Sequence, residues 1–399
     1  MAKIQKIHGR EILDSRNKKT LEVEMVLDDG VMARESVPSG ASTGRSEAKK
    51  ITDISAVIAN LENAIAPILL GQEVIGQQQK LDQMMLELDG TPDKSRLGGN
   101  TILGVSLAIC RAGAMSAKKP LYRYIGEISG NTAFRLPTPL FNVINGGKHA
   151  DTNLAFQEFI AVPVKEGSFK GKLAIGSQVY DSLKESLRRM DLSTNVGDEG
   201  GFAPRLTSNE AALELLVEAI EAVGLKPGED VALAIDVAAS SIPDLAAITY
   251  PQTPLDYYQQ LVNKFPLILL EDPFKEDDWP SWQTITKLLG GHVAIIGDDL
   301  FTTNVERLRI GIEKKAATGT IIKPDQIGTV SETLAAIKLA KENNLIIVVS
   351  HRSGETDSVF IADLAVGIGA DFLKAGALSR GERVAKYDQL LRIEEEIKG

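Results

Sequence analysis

From about residue 230 onward, short apolar runs recur, and each stops at a charged or polar side chain. The run 231–235 stops at Asp236, 267–270 at Glu271, 293–297 at Asp298, 320–322 at Lys323, 345–350 at His351 and 371–373 at Lys374. Successive stops are 35, 27, 25, 28 and 23 residues apart, which suits one strand, one helix and two loops per step. The runs are continuous rather than alternating, as in strands buried on both faces. Helical spacing lies between them, as at Thr333, Leu334, Ile337, Leu339 and Ala340. With two earlier runs, 159–162 and one near Asn195-Val196, the pattern predicts a barrel of parallel strands. A doubly wound open sheet fits less well, because no Gly-rich dinucleotide fingerprint follows any strand. Active sites of such barrels lie at the C-terminal ends of the strands, so the six stop residues converge on one rim.

The N-terminal part has a different texture. Leu21, Val23, Met25 and Leu27 alternate with Glu22, Glu24 and Val26, Asp29-Gly30 follows, and 31–37 completes a β-hairpin. Ile54, Val57, Ile58, Leu61, Ile65, Ile68 and Leu69 predict a helix over 54–70, and Leu81, Met84, Met85 and Leu88 a second. A third, over 100–118, is apolar on most sides and therefore buried. Strands followed by a run of helices read as an α+β unit. The stretch 126–139, with Ser129-Gly130-Asn131, Pro137 and Pro139, is the linker candidate. The expectation is an α/β chain with an N-terminal α+β domain, 1–130, and a C-terminal α/β barrel, 131–399.

Composition limits the function. The 399 residues carry 44 Lys and Arg against 54 Asp and Glu, a net charge of −10, with 43% hydrophobic residues. That excludes wholesale disorder and argues against a nucleic-acid binder, which needs a cationic face. A small anion can still bind where metal ions or local lysines supply the field. The single cysteine, Cys110, lies in the apolar run 102–114 and reads as a buried small side chain. No disulfide or CxxC motif exists. The N-terminus shows no apolar signal stretch, and no run approaches the roughly 18 residues of a membrane helix, so a reducing cytoplasm is expected and no membrane partner.

The rim residues suggest chemistry. Asp236, Glu271 and Asp298, at successive strand ends, suit a hard cation such as Mg²⁺; the plainer alternative is pairing with lysines or helix capping. Lys323 follows, and beside a divalent cation its ammonium pKa falls toward that of a general base; the alternative is a salt bridge to one of the acids. Glu158 sits in Phe156-Gln157-Glu158-Phe159. Glu199 sits among glycines in 195–201, which allow a tight turn, of ligand site or ordinary surface type. Of four histidines, His351 stands out because it opens Ser350-His351-Arg352-Ser353-Gly354-Glu355. With Lys374 at the next strand end this makes an anion site, where Arg352 can grip a phosphate through two donors, or else a solvated loop. No HExxH pair is present, which disfavours zinc. The small-residue loop 38–44 reads as a mobile lid or a flexible turn; it lacks the ending of a P-loop.

Together these motifs closely resemble the enolase family. The matching stretches are VPSGASTG (37–44), DGTPDKSRLGGNTILGVSLA (89–108), NGGKHAD (145–151), QEF (157–159), NVGDEGGFAP (195–204), EDPF (271–274), GDDL (297–300), IKP and QIGT within 322–329, SHRSGET (350–356) and RVAKYDQLLRIEEE (383–396). The resemblance implies a TIM-like barrel capped by the N-terminal domain and a reversible, Mg²⁺-dependent dehydration of 2-phospho-D-glycerate to phosphoenolpyruvate. It implies that Lys323 removes the C2 proton, while Glu199, assisted by Glu158, helps the C3 hydroxyl leave. Asp236, Glu271 and Asp298 would hold one Mg²⁺, and Ser42 in the lid loop a second, two per active site. Arg352 and Ser353 would bind the phosphate; His149, His351 and Lys374 would surround the substrate, with Lys374 on its carboxylate. Lys323 and Glu199 would come from well-separated barrel strands. A homodimer or homo-octamer in the cytoplasm is the implied assembly.

Some positions depart from the family pattern. Asn17-Lys18-Lys19 replaces Gly-Asn-Pro, Asp325 replaces an asparagine, Ala375 a threonine, and 237–249 matches poorly. The segment after SGASTG is about a dozen residues short, close to a whole loop in size. Two rival readings are weaker. An acid-sugar dehydratase or racemase of the same superfamily would show a Lys-x-Lys base pair on an early strand, where this chain has only 156–163. A purely binding or scaffold protein would have no need to keep every catalytic position filled.

Overall fold

The computed structural model describes residues 2–40, 44–165 and 167–398. Its first unit is an antiparallel sheet of β1 (Ile4–Leu13), β2 (Lys19–Leu27) and β3 (Met32–Ser36), in that order. The Asp29-Gly30 turn joins β2 to β3 as its sequence predicts, whereas β1 gave no alternation signal and is new. The residues of β2 at 21, 23, 25 and 27 are fully buried. Behind them lies the helix Gly99–Ser116, buried on most sides, as expected. The predicted helix over 54–70 is interrupted by a π-turn at Leu61–Ile65. The linker candidate is shorter than 126–139: a helix runs to Ser129, and a strand already begins at Thr138.

The second unit is a closed barrel of β4 (Thr138–Asn145), β5 (Glu158–Pro163), β6 (Val231–Asp236), β7 (Leu267–Glu271), β8 (Ala294–Gly297), β9 (Gly319–Ile322), β10 (Ile346–Ser350) and β11 (Phe372–Lys374). Leu140, Ile160, Val162, Ala234, Leu269, Ile296, Ile321 and Val348 fill its interior. Helices cover the outside, so each strand is buried on both faces, and this is why the runs do not alternate.

Two expectations need correction. The barrel is not all parallel, because β5 runs antiparallel to both β4 and β6. The run near Asn195-Val196 is not a barrel strand; it makes one isolated bridge, Val196 to Phe202, and the missing strand is β4. Pro139 disguised β4 as linker, although proline is tolerated at the start of a strand. The cause of the antiparallel strand is the connection. Residues 146–157 hold only a short turn at Gly147–His149, with no crossover helix, and such a link reverses the chain.

This reversal positions the site. Because β5 starts at the rim where the other strands end, Glu158 lies opposite both Asn145 and Asp236. The chain then leaves β5 at the far rim, and the helix Phe169–Arg189, about 31 Å long at 1.5 Å per residue, carries it back. Residues 190–208 cross the top before the helix Asn209–Ala222 descends to β6. Glu199 therefore reaches the rim on a loop between helices, not on a barrel strand.

The two units dock through polar contacts. Ser39 and Gly354 exchange both backbone hydrogen bonds, at 2.7 and 2.8 Å. Ser36 Oγ donates to Thr356 Oγ1 at 2.7 Å. Asp363, in the helix Phe360–Ile368, lies buried beside Arg111 and accepts from Gln389. Burial pushes its carboxyl up to about 6, against the opposing pull of Arg111 and Gln389. A carboxyl raised from 3.8 holds its proton more tightly in the folded chain, so its contribution to stability falls as pH rises from about 4 through about 6. Asp363→Asn cannot ionise. Its unfolding free energy relative to the parent is expected to rise by up to about 3 kcal/mol between pH 4 and pH 7. A difference that stays flat with pH, measured by denaturant unfolding, would contradict this.

Candidate active site

The stop residues do meet. Asp236 ends β6, Glu271 ends β7 and Lys374 ends β11, while Asp298, Lys323 and His351 each follow a strand end by one residue. Lys323, Lys374, Asp236, Asp298, His149, Glu158, Glu199, His351, Arg352 and Ser353 line one cleft together with Gly40, Glu47, Gln157, Asp299 and Ser350. Glu271 lies just beneath, fully buried, and reaches the cleft through Lys374. Ser42 lies outside the described residues. Of the plainer alternatives, the solvated loop at 350–355 and the acidic surface turn at Glu199 are both excluded by burial.

Lys374 occupies the centre of one wall. Its Nζ lies 2.7 Å from Glu271, 3.2 Å from Asp236 and 3.1 Å from Glu158, all four side chains buried. Burial pulls the ammonium down, but these carboxylates outweigh it and hold its pKa well above the usual value. Glu271 shows the reverse: burial and Asp236, against Lys374, push it up to about 8. Its Oε1 is buried with no hydrogen-bond partner among the described residues.

Lys323 faces the neighbouring wall and bonds Asp298 Oδ2. Without a divalent cation beside it, its pKa is raised. Burial and the cations Arg352 and Lys374 push it down, but Asp298, with Glu271 behind it, prevails. The salt-bridge alternative thus describes this geometry. Gln326 Nε2 donates to the other Asp298 oxygen at 2.8 Å. Asp272 fixes the turn from beneath, accepting from the backbone N–H groups of Asp298 and Asp299 at 2.9 and 2.8 Å.

Across the cleft stands a carboxylate pair. Glu199 is held by Asn142 Nδ2 at 2.8 Å and lies 3.0 Å from His149 Nδ1 and 3.4 Å from His351 Nε2. Burial raises its pKa, but the two histidines and Arg383 outweigh burial and hold it well below the ordinary value. Glu158 is pushed well above, by burial and by the nearby Glu199 charge, despite Lys374. The two carboxyls are thus driven apart, Glu158 upward and Glu199 downward. Two groups with pKa values driven apart in one cleft mark a site for proton transfer. The glycines around Glu199 act as expected: Gly200 has φ +85°, and a Cβ there would lie 2.6 Å from the Ser379 carbonyl.

The donor set fits a hard cation, since the acids at successive strand ends offer only oxygens and Glu271 Oε1 has no partner among the described residues. The sequence triad Asp236, Glu271 and Asp298 is brought to adjacent strand ends with Lys374 and Lys323 against it. Groups already within ligand reach of one another are Asp272, Asp298 and Asp299, and His149, Glu158 and Glu199.

Sequence reasoning missed several contributors. Glu47 accepts from Arg352 at 3.3 Å through both oxygens. Asp325, noticed only as a departure, lies 3.2 Å from Arg352 and 2.6 Å from Lys50. Burial opposes its ionisation, but Arg352 and Lys50 hold its pKa below the usual value. Arg383 was legible only as part of a helix, yet it is fully buried. It donates to the carbonyls of Arg352 and Ser353 at 2.6 Å and to Asp198 at 3.0 Å.

Arg383 Nη1 also lies 2.7 Å from His351 Nδ1. A guanidinium only donates, so Nδ1 must accept and the ring hydrogen must sit on Nε2, facing Glu199. Burial, with Arg383, holds the ring well below the ordinary 6.5. In ¹⁵N-labelled protein His351 is expected as the neutral Nε2–H tautomer from about pH 6 to about pH 8. A protonated Nδ1, or a midpoint near 6.5, would contradict this placement.

Two family descriptions match the chain: "Enolase, N-terminal domain" over residues 4–125 and "Enolase, C-terminal TIM barrel domain" over 133–399. A curated protein described as "Enolase" from Kineococcus radiotolerans is 48% identical over 413 residues, covering all of this chain and 95% of that protein.

Proposed function

The chain belongs to the enolase family and catalyses the reversible dehydration of 2-phospho-D-glycerate to phosphoenolpyruvate and water; on that premise, we propose how its rim residues divide the reaction. The observation that carries the assignment is the sharing of one cleft by Lys323, the Glu158–Glu199 pair, Arg352 and Lys374. Arg352 and Ser353 bind the phosphate, because a guanidinium can present two parallel donors to it. Lys374 engages the substrate carboxylate. His149 and His351 border the reacting carbons, and the His351 Nε2–H donates toward the Glu199 side.

Lys323 takes the proton from C2. Glu199, assisted by Glu158, delivers the proton with which the C3 hydroxyl leaves as water. Base and acid must stand on different walls so that each reaches its own carbon, and the antiparallel β5 with the loop 190–208 makes that arrangement. Asp236, Glu271 and Asp298 would hold Mg²⁺, the family's cation, which supplies positive charge beside the substrate oxygens and Lys323. A second Mg²⁺, with Ser42 and the phosphate, completes the reading. The premise extends to a homodimer or homo-octamer working in the cytoplasm. No helix among the described residues is long and apolar enough to cross a membrane.

With 2-phosphoglycerate and Mg²⁺, the ultraviolet absorbance of the enol phosphate should grow, and EDTA should abolish the growth. Glu271→Gln should weaken Mn²⁺ binding, read by electron paramagnetic resonance, by at least about tenfold. No signal from the folded parent protein would overturn the reaction assigned to this cleft, and unchanged Mn²⁺ affinity the place of Glu271 in it.

A further inference from the structure

We propose that Lys50 is a positioning residue for the phosphate subsite: it neutralises the buried Asp325 and so keeps the Arg352 charge available to a phosphate dianion. The proposal deepens the reading of Arg352 above and rests on it.

The argument begins with how Lys50 is held. The segment 48–50 is clamped by backbone bonds on both sides. Ala48 N–H donates to the Gln326 carbonyl at 2.8 Å, Lys49 N–H to Asp93 at 2.8 Å, and Gly99 N–H to Lys49 at 2.7 Å. Lys50 is thereby fixed against the short helical turn Pro324–Ile327 that follows Lys323. Its Nζ lies 2.6 Å from Asp325 Oδ2, and the same oxygen lies 3.2 Å from Arg352 Nη1. One carboxylate oxygen therefore bridges two cations.

Charge counting shows why the bridge matters. Glu47 and Asp325 both face Arg352, so two buried negative charges stand against one guanidinium. A phosphate dianion arriving there would meet a net negative wall, and like charges at this range oppose binding strongly away from water. Lys50 brings the four side chains to neutrality. Gly40 keeps the place tight: a Cβ there would lie 1.8 Å from Arg352 Nη2. An aspartate where the family pattern has asparagine is thus tolerated here because a lysine sits beside it.

The test is a double-mutant cycle read as KM against kcat for 2-phosphoglycerate, with inorganic phosphate as a competitive inhibitor. Lys50→Met should raise KM by about tenfold and the phosphate inhibition constant in parallel, with a much smaller change in kcat. Lys50→Met combined with Asp325→Asn should recover most of the loss, because the charge that Lys50 opposes is gone. A general packing defect would not be rescued by a second substitution. An unchanged KM in Lys50→Met, or no recovery in the double variant, would overturn the proposal. Arg352→Gln separates the two levels. If it leaves phosphate inhibition intact, the reading of Arg352 fails; if it abolishes inhibition while the cycle shows no coupling, only the role of Lys50 fails.

Discussion

The active rim depends on the Lys374 ammonium, buried between carboxylates from three other strands. Asp236, Glu271 and Glu158 end or begin β6, β7 and β5, and Lys374 ends β11. Burying any of these charges alone would cost several kcal/mol, so each is tolerable only with its partners in place. The cluster thus ties together the rim ends of four barrel strands, and that fixes where a substrate can lie. It also leaves the wall short of positive charge, as the unpartnered Glu271 Oε1 and the raised Glu271 carboxyl record. A divalent cation suits that deficit, and so does a family whose chemistry uses Mg²⁺.

The second dependence is topological. Had β5 run parallel to its neighbours, Glu158 would have opened the strand at the far rim. The tight link at 146–157 reverses it instead. The helix pair that follows then has to cross the rim, and it leaves Glu199 there beside His149 and His351. The Glu158–Glu199 wall of the cleft is therefore a product of chain reversal, while the Lys323 wall comes from the regular strand–helix repeat.

That difference explains what the sequence could show. The parallel strands β6 to β11 were legible because each is a continuous apolar run with a polar stop at regular spacing. β4 was hidden by Pro139 and by the buried polar residues Asn142, which bonds Glu199, and Asn145, which packs under the Gly197–Gly201 turn. The orientation of β5 has no signature of its own; only the missing crossover helix betrays it. Rim residues at strand ends were nameable one by one, and the family motifs suggested their roles. Arg383, Glu47 and Lys50 were not nameable, because a charged residue on a helix or loop reads as solvated until tertiary contacts bury it. The contact between Lys323 and Asp298 was equally out of reach, since spacing along the chain does not give a distance across the rim.

The central claim is that base and acid act from separate walls of one cleft, Lys323 on one and the Glu158–Glu199 pair on the other. Solvent exchange at C2 of 2-phosphoglycerate in deuterium oxide tests it most directly. Glu199→Gln should lose phosphoenolpyruvate formation yet still exchange the C2 hydrogen, whereas Lys323→Ala should lose both. Exchange that survives in Lys323→Ala, or that vanishes equally in Glu199→Gln, would contradict the separation.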